Sequence, residues 1–530
     1  MYQRFENRIE RLQQNGQAYL LSGGKKGVEK ESLRVSSQGI LSQTKHPFVL
    51  GSTLTNPYIT TDYSEALLEL ITPPFEDVMD TMNFMQAIHQ FIYANVHDEL
   101  LWNTSMPCIV DGEKSIRIAE FGSSHIGMMK HIYRRGLAVR YGRIMQAISG
   151  VHFNYSVPIE FWPAFQQIDE DTQPLQSFIN NAYFGLARNV LRYQWLLTYL
   201  FGNSPALCKS FMDGQDTSFQ SFDASTYYEP YAASLRVSDI GYTNRDTPGL
   251  DISYDNLDTY VRGLIHAIET PYQPFVDKGI MIDGEYWQLN GNILQIENEY
   301  YSAVRPKQPI RSGERPSNAL SERGVMYVEI RVLDIDTFSP IGVNEMQLRF
   351  MEAFALFCLL QESTPIDAKE ERDYLYNQQQ IANVGRMPGL MLRTQGQEVS
   401  LVSWAMDIMT QLEPICEALD QTEGQRGNLH KPYQTALAHQ KQLIGQPELT
   451  PSARMLDEMK QANETFATYA LRKSREHQAT LQNEPMTNES IEKTMLLLEE
   501  EAIASIEKQR EMEANETLSF EEYLVAYFAK

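Results

Sequence analysis

The stretch Val151-His152-Phe153-Asn154-Tyr155-Ser156-Val157 alternates apolar and polar residues without a break. Successive side chains of a strand point to opposite faces. Val151, Phe153, Tyr155 and Val157 therefore share one face, and His152, Asn154 and Ser156 the other. The same period recurs in Met326-Tyr327-Val328-Glu329-Ile330-Arg331-Val332, where Met326, Val328, Ile330 and Val332 oppose Tyr327, Glu329 and Arg331. In Gly27-Val28-Glu29-Lys30-Glu31-Ser32-Leu33, Glu29 and Glu31 share a face. So do Glu65 and Glu69, with Asp62 just upstream, and Gln295, Glu297 and Glu299 in Leu294-Gln295-Ile296-Glu297-Asn298-Glu299. One apolar and one polar face is the pattern of an antiparallel sheet, which can simply be wet on one side. These polar faces, however, repeat Glu with His, Asn and Arg. Carboxylates on neighbouring strands repel one another unless cations sit between them. Oxygen-rich sets with an occasional imidazole suit Mg²⁺ or Mn²⁺, which keep waters and bridge phosphates.

Helical periodicity surrounds these strands. Phe5, Ile9 and Leu12 predict a short opening helix, and Met82, Met85, Ile88, Phe91 and Ile92 give one face of a helix near 80–97. A Leu- and Phe-rich helix is expected near 343–362. The strongly apolar run 180–201 reads as a buried core helix. From about 365 onward the pattern is polar and helical with few strand signals. The division that follows is an α+β body over 1–362 and a mainly helical region over 363–530 packed on it.

Composition narrows the function. The 530 residues are 42% hydrophobic and 22% charged, which excludes wholesale disorder. There are 45 Lys+Arg against 69 Asp+Glu, a net charge of −24. Such a surface repels phosphate backbones, so neither nucleic acid nor an anionic membrane is an expected partner. An anionic small substrate would need a local cationic pocket or divalent metal. The last 50 residues hold 12 acidic and 4 basic residues and read as solvated helix faces with i,i+4 pairs. Four scattered cysteines (Cys108, Cys208, Cys358, Cys416) form no CxxC pair and imply neither a disulfide framework nor zinc. A polar N-terminus and the lack of any long apolar run give the expectation of a soluble, cytoplasmic chain. No Walker A, HExxH or GxSxG motif is found. Gly23-Gly24-Lys25-Lys26-Gly27 has the wrong spacing for a phosphate loop and reads as a turn before a strand.

Cationic and aromatic groups complete the set. Arg331, and Arg236 in Ser234-Leu235-Arg236-Val237-Ser238-Asp239, can each fork onto a carboxylate or phosphate. A surface ion pair is the plain alternative for a lone strand arginine. Tyr133, Tyr242 and Tyr301 flank strand-like runs and could bind a small carboxylate, or be core. His152 beside Asn154 is a structural histidine or a ligand to metal or phosphate.

Several of these stretches together resemble bacterial glutamate–cysteine ligases. Gly27-Val28-Glu29-Lys30-Glu31-Ser32-Leu33-Arg34-Val35 resembles the family's first glutamate motif, and Thr60-Thr61-Asp62-Tyr63-Ser64-Glu65-Ala66-Leu67-Leu68-Glu69 its second. Ser149-Gly150-Val151-His152-Phe153-Asn154, Ser234-Leu235-Arg236, Gly241-Tyr242-Thr243-Asn244, the run from Leu294 to Lys307 and the run from Val328 to Val343 are similar in the same order. The resemblance is dense over 20–360 and thin beyond about 365. It implies a glutamine-synthetase-like fold, a curved antiparallel sheet forming an active-site funnel. It also implies ATP-dependent joining of the L-glutamate γ-carboxylate to the L-cysteine amine through γ-glutamyl phosphate, the first step of glutathione synthesis. By matching position, Glu29, Glu31, Asp62, Glu69, His152 and Glu329 resemble the set for two or three Mg²⁺ ions, with Mn²⁺ as a substitute. Glu29, Glu329 and Arg331 resemble the catalytic groups, and Arg236 with Asn154 the glutamate anchor. Ile148, His152 and Arg331 resemble nucleotide contacts. Tyr63, Tyr133, Arg134, Leu137, Gln146, Tyr242 and Tyr301 resemble the cysteine pocket; Tyr63 can be another aromatic in the family, so its hydroxyl is given no required role. Glutathione is implied as a feedback inhibitor, and a monomer is favoured. A ligase for another amine, a metal-dependent hydrolase working without nucleotide, and a non-catalytic metal or nucleotide binder stay open as alternatives.

Overall fold

Seven strands form the main sheet of the computed structural model, which describes residues 2–241, 247–311, 313–425, 427, 430–483 and 489–529. They are β1 (Lys25–Ser36), β2 (Ile59–Thr61), β3 (Leu67–Ile71), β4 (Glu99–Leu101), β5 (Val151–Ser156), β6 (Val304–Lys307) and β7 (Tyr327–Leu333). Their order is β6-β7-β5-β1-β3-β2, with β4 beside the end of β1, and every pairing is antiparallel. The fold is thus mixed α and β around an antiparallel sheet.

The alternation read from the sequence settles which face is core. Val28, Leu68, Leu70, Val151, Phe153, Tyr155, Val328 and Ile330 lie in one fully buried cluster. Helices α2 (Val78–Asn95), α4 (Leu175–Phe201) and α5 (Glu345–Leu360) cover that face, while α1 (Gln3–Gln14) packs through Phe5 against Phe357 of α5. Asp77 and Asn344 cap α2 and α5, accepting from the amides of Met79 and Gln347, as short polar side chains do at helix starts. The apolar segment 180–201 lies within α4, a helix buried over most of its length. Met326 departs from the expected apolar face. It stands one residue before β7 and is 54% exposed.

The buried face of β1 also carries charge. Lys26 Nζ donates to both carboxylate oxygens of Glu352, at 2.9 and 3.0 Å, and Tyr433 donates to the same group at 2.6 Å. Gly23–Gly27 is therefore the turn and start of a strand, with its second lysine directed into the core. Lys30 Nζ meets no carboxylate among the described residues; it lies 2.8 Å from His89 Nε2 and 3.4 Å from Asn103 Oδ1. Burial pulls its pKa down to about 7. A lysine depressed in the fold but ordinary when unfolded binds its proton more tightly in the unfolded chain, so stability rises with pH from about 7 toward 10. In Lys30→Met that rise is expected to flatten by about 1.4 kcal/mol for each pH unit in this window. Urea unfolding of both proteins across the window checks it, and parallel curves would refute it.

Beyond α5 the described residues are mostly helical, with a hairpin pairing Met391–Thr394 to Gln397–Ser400. No described helix is long and apolar enough to cross a membrane. Two helices of this region matter for the site: α6 (Glu489–Ala514), which lies along α2, and α7 (Phe520–Phe528). Between β4 and β5 the helix α3 (His125–Tyr141) crosses in front of the polar face of the sheet.

Candidate active site

The register of the sheet gathers its polar side chains. Glu29 stands opposite His152, Glu31 opposite Glu69, and Glu329 between Asn154 and Arg305. Between Ile330 and Leu333 the pairing of β7 with β5 shifts, so that Arg331 and Val332 together oppose His152. A bulge of this kind twists the strand and re-aims a side chain, and here it lies at Arg331. Facing the sheet is one stripe of α3, Ile126, Met129, Lys130, Tyr133, Arg134 and Leu137, at the three- and four-residue spacing of a helix face. Sheet and helix enclose a cavity of 550 Å³, walled further by Asp62, Tyr63, Gln146, Ile148, Arg236 and Tyr301.

His152 is the centre of the cluster. Its Nδ1 lies 3.3 Å from both Glu29 and Glu329, and its Nε2 lies 3.8 Å from Glu31. Burial and Arg331 push its pKa down, but the bonds to Glu29 and Glu329 and the charge of Glu31 outweigh them and lift it to about 9. Burial, then the charges of Glu29, Asp62 and Glu31, push Glu69 up to about 8. Glu31 is raised by burial in the same way, whereas His152, Arg331 and Lys307 hold Glu329 well below the usual carboxylate range despite its burial. Four or five carboxylates this close cannot all ionise without cations among them. Ligand atoms of Glu29, His152 and Glu329 all fall within 4.8 Å of one another. This oxygen-rich set with one imidazole fits a divalent cation.

The arginines are held by structure behind the cavity. Arg331 Nη1 donates to Glu329 at 2.7 Å, and Lys307 lies 3.1 Å from the other oxygen of Glu329. Arg236 Nη2 donates to the Arg331 carbonyl at 3.0 Å. It sits on a short 3-10 turn, Leu235–Val237, and not on a strand as the sequence suggested. The turn is pinned by buried Asp334, which accepts from Ser234 Oγ at 2.9 Å, Ser204 Oγ at 2.8 Å and the Asn203 amide at 2.7 Å. Gly150 makes room for the arginine: a Cβ there would lie 2.0 Å from Arg236 Nη2. The same glycine donates its amide to Glu31 at 2.6 Å. Tyr63 Oη, Gln146 Nε2, Asn154 Oδ1, Arg236 Nη1 and Arg331 Nε are buried without a hydrogen-bond partner in the protein. Buried polar atoms are normally paired, so this concentration suits a polar, charged ligand.

Every described residue read from the sequence as a site residue lines this cavity, except Asn154, which stands behind it and donates to Glu29 at 2.9 Å. Tyr242 lies outside the described residues. The expected strand face of Gln295, Glu297 and Glu299 does not exist. Glu297–Glu299 is a buried 3-10 turn, in which Glu297 pairs with Arg315 and Glu299 with Arg140, each at 2.9 Å. Glu65 also turns away from the site and accepts from the amides of His46 and Glu120. Lys130, Arg305 and Lys307 were given no role by the sequence, yet all three bring cationic side chains to the cavity. For Lys130 the signal was available, because it shares a helix face with Tyr133, Arg134 and Leu137. The four cysteines are buried away from it, and burial pushes the Cys208 thiol up to about 12.

Comparison with known proteins follows the same line. The chain is 45% identical over 529 residues to a glutamate–cysteine ligase of Alcanivorax borkumensis, covering 99% of each. It is 44% identical to that of Azotobacter vinelandii, over all of this chain and 99% of the other. A crystal structure of the Francisella tularensis glutamate–cysteine ligase in complex with AMP superposes with a TM-score of 0.87 at 34% identity, over 96% of this chain and 98% of that one. A bifunctional glutathione synthetase from Pasteurella multocida shares the fold, with a TM-score of 0.72 at 24% identity over 93% of this chain and 58% of its own. The glutamate–cysteine ligase family model matches residues 9–381, and with these relatives it shows that the chain belongs to the glutamate–cysteine ligase family.

Proposed function

We propose that the chain joins the γ-carboxylate of L-glutamate to the amine of L-cysteine, converting ATP to ADP and phosphate and yielding γ-glutamylcysteine for glutathione synthesis. The observation that carries this reading is one cavity in which a carboxylate–imidazole cluster meets two inward-facing arginines on a chain of this family. In our reading Glu29, Glu31, Asp62, Glu69, His152 and Glu329 hold two or three Mg²⁺ ions, or Mn²⁺. Bound there, such ions neutralise triphosphate charge and make the terminal phosphoryl group electrophilic. The sheet would then be the wall of a glutamine-synthetase-like funnel, and 1–362 the catalytic body against which the helical region 363–530 packs.

Arg236 would bind glutamate, with Asn154 acting from behind the cavity through its bond to Glu29, and Tyr63, Tyr133, Arg134, Leu137, Gln146, Tyr242 and Tyr301 would wall the cysteine subsite. Ile148, His152 and Arg331 would contact the nucleotide. The chemistry runs in two displacements. A γ-carboxylate oxygen of glutamate bonds to the terminal phosphorus of ATP as the bond to ADP breaks. The cysteine ammonium gives one proton to a carboxylate of the cavity; its nitrogen then bonds to the γ-carbonyl carbon of γ-glutamyl phosphate as the bond to phosphate breaks, and the second nitrogen proton leaves with the phosphate as hydrogen phosphate. Alignment and charge neutralisation dominate phosphoryl transfer, and Arg331, anchored on Glu329, is aimed for that role. Glutathione, which combines both amino-acid parts, would compete for the two subsites.

The test is ADP release with Mg²⁺, ATP and glutamate, with and without cysteine. Fast release that needs both amino acids, with formation of γ-glutamylcysteine, is expected. Equal release when cysteine is replaced by unrelated amino acids, or activity without ATP, would overturn the reading.

A further inference from the structure

The region past residue 365 shows little motif resemblance, yet it reaches the cavity. Tyr527 of α7 lines it beside Met129 and Tyr133 of α3. Helix α7 fills a wedge between α3 and the segment 285–299: Phe520, Leu524 and Tyr527 form one buried cluster with Met129 and Ile132 on one side and Leu289 and Ile296 on the other. Phe520 meets Tyr286 edge-on with ring centroids 5.4 Å apart. The chain entering α7 is tied to the start of α3. Glu513 accepts from the Ser123 amide and Glu516 from the His125 amide, each at 2.8 Å, and the other oxygen of Glu516 contacts the His125 imidazole. A carboxylate over the first turn of a helix also meets the positive end of its dipole.

The two elements joined by this wedge carry part of the proposed cysteine wall. Tyr133 and Arg134 ride on α3, and Tyr301 follows the 285–299 segment. Gln295 Nε2 donates to the Tyr133 carbonyl at 3.2 Å, a second tie across the same gap. The proposed glutamate anchor, Arg236, is held instead by β7 and Asp334.

We infer that residues 513–529 belong to the cysteine subsite as positioning residues: Tyr527 closes the cavity wall, and Glu516 with the apolar face of α7 sets the separation of the two walls that grip cysteine. This rests on the reading of Tyr133, Arg134 and Tyr301 as the cysteine wall.

The experiment is steady-state kinetics on the full-length enzyme and on a chain ending at Asn515. Truncation is expected to raise KM for cysteine about tenfold or more, with KM for ATP and glutamate within about twofold. Tyr527→Ala should raise the cysteine KM about fivefold, and Tyr527→Phe, which restores the ring, should recover most of that rise. If the shortened chain aggregates, Glu516→Gln and Leu524→Ala carry the test with the same split. Unchanged cysteine KM, or all three KM values moving together as in a loosened fold, would overturn the inference. Tyr133→Ala separates the two layers. If it raises the cysteine KM while the α7 variants do not, only this inference fails; if it leaves that KM unchanged, the cysteine-wall reading fails with it.

Discussion

Glu329→Gln is expected to lower turnover by about 10³-fold while the far-UV circular dichroism of the protein stays that of the parent. The amide keeps the size of the carboxylate and removes its charge. That charge faces three cationic or protonatable groups: Arg331 at 2.7 Å, Lys307 at 3.1 Å and His152 at 3.3 Å. With Glu329 neutral, these groups repel one another and an incoming divalent ion together. Arg331 also loses the partner that orients it. Two measurements apply, ADP release at saturating substrates and Mn²⁺ affinity by electron paramagnetic resonance. The second is expected to weaken by at least about 10-fold, on the scale seen when a group supporting a metal site is removed. Turnover within tenfold of the parent would sink the proposed role of Glu329.

Arg331→Lys is expected to reduce kcat by about 10³-fold with little change in KM for either amino acid, the pattern of a contact made chiefly in the transition state. Arginine offers a planar fork of donors, whereas lysine offers one compact charge. In the structure one end of the fork is committed to Glu329, and Nε has no partner in the protein. A lysine could reach Glu329 or a phosphoryl oxygen, but not both in one plane. Parallel loss of kcat and rise of both KM values would instead indicate that Arg331 only shapes the pocket, and a kcat within tenfold would remove it from the mechanism.

Much of this was legible in the sequence because strand alternation is a strict local rule. Glu29 with Glu31, His152 with Asn154 and Glu329 with Arg331 each fell on the polar face that two-residue periodicity assigns. The same rule misled at Gln295–Glu299. Gln295, Glu297 and Glu299 at two-residue spacing match a strand face, but Arg140 and Arg315, distant in sequence, draw its acids into buried ion pairs. Arg236 was read as a site residue and does line the cavity, although its local geometry was misread. Its placement depends on Asp334 and Gly150, and no local pattern near 236 records those contacts. Tyr527 lay beyond reach for a similar reason. Its neighbours on α3 are almost 400 residues earlier in the chain, and Leu289 and Ile296 more than 230, and the acidic composition of its surroundings reads as solvation. That reading holds for pairs such as Lys493 with Glu489, but not for Glu513 and Glu516, which dock on α3.

In strand β1, Glu29 and Glu31 face the cavity while Lys26 and Lys30, on the alternate positions, face the core. A slip of one residue against β5 or β3 would exchange the faces completely. It would bury Glu29 and Glu31 among aliphatic side chains and set Lys26 and Lys30 among the groups proposed to bind metal. Most strands resist such a slip on one side only, through their apolar residues. Here both faces reject it electrostatically, and Lys26 finds its partner only after α5 has docked with Glu352 in place. The geometry of the proposed metal site is thereby tied to completion of the core behind it. A chain that has not packed its helices correctly would also fail to assemble the proposed cation site, so misfolded molecules would not sequester metal or nucleotide.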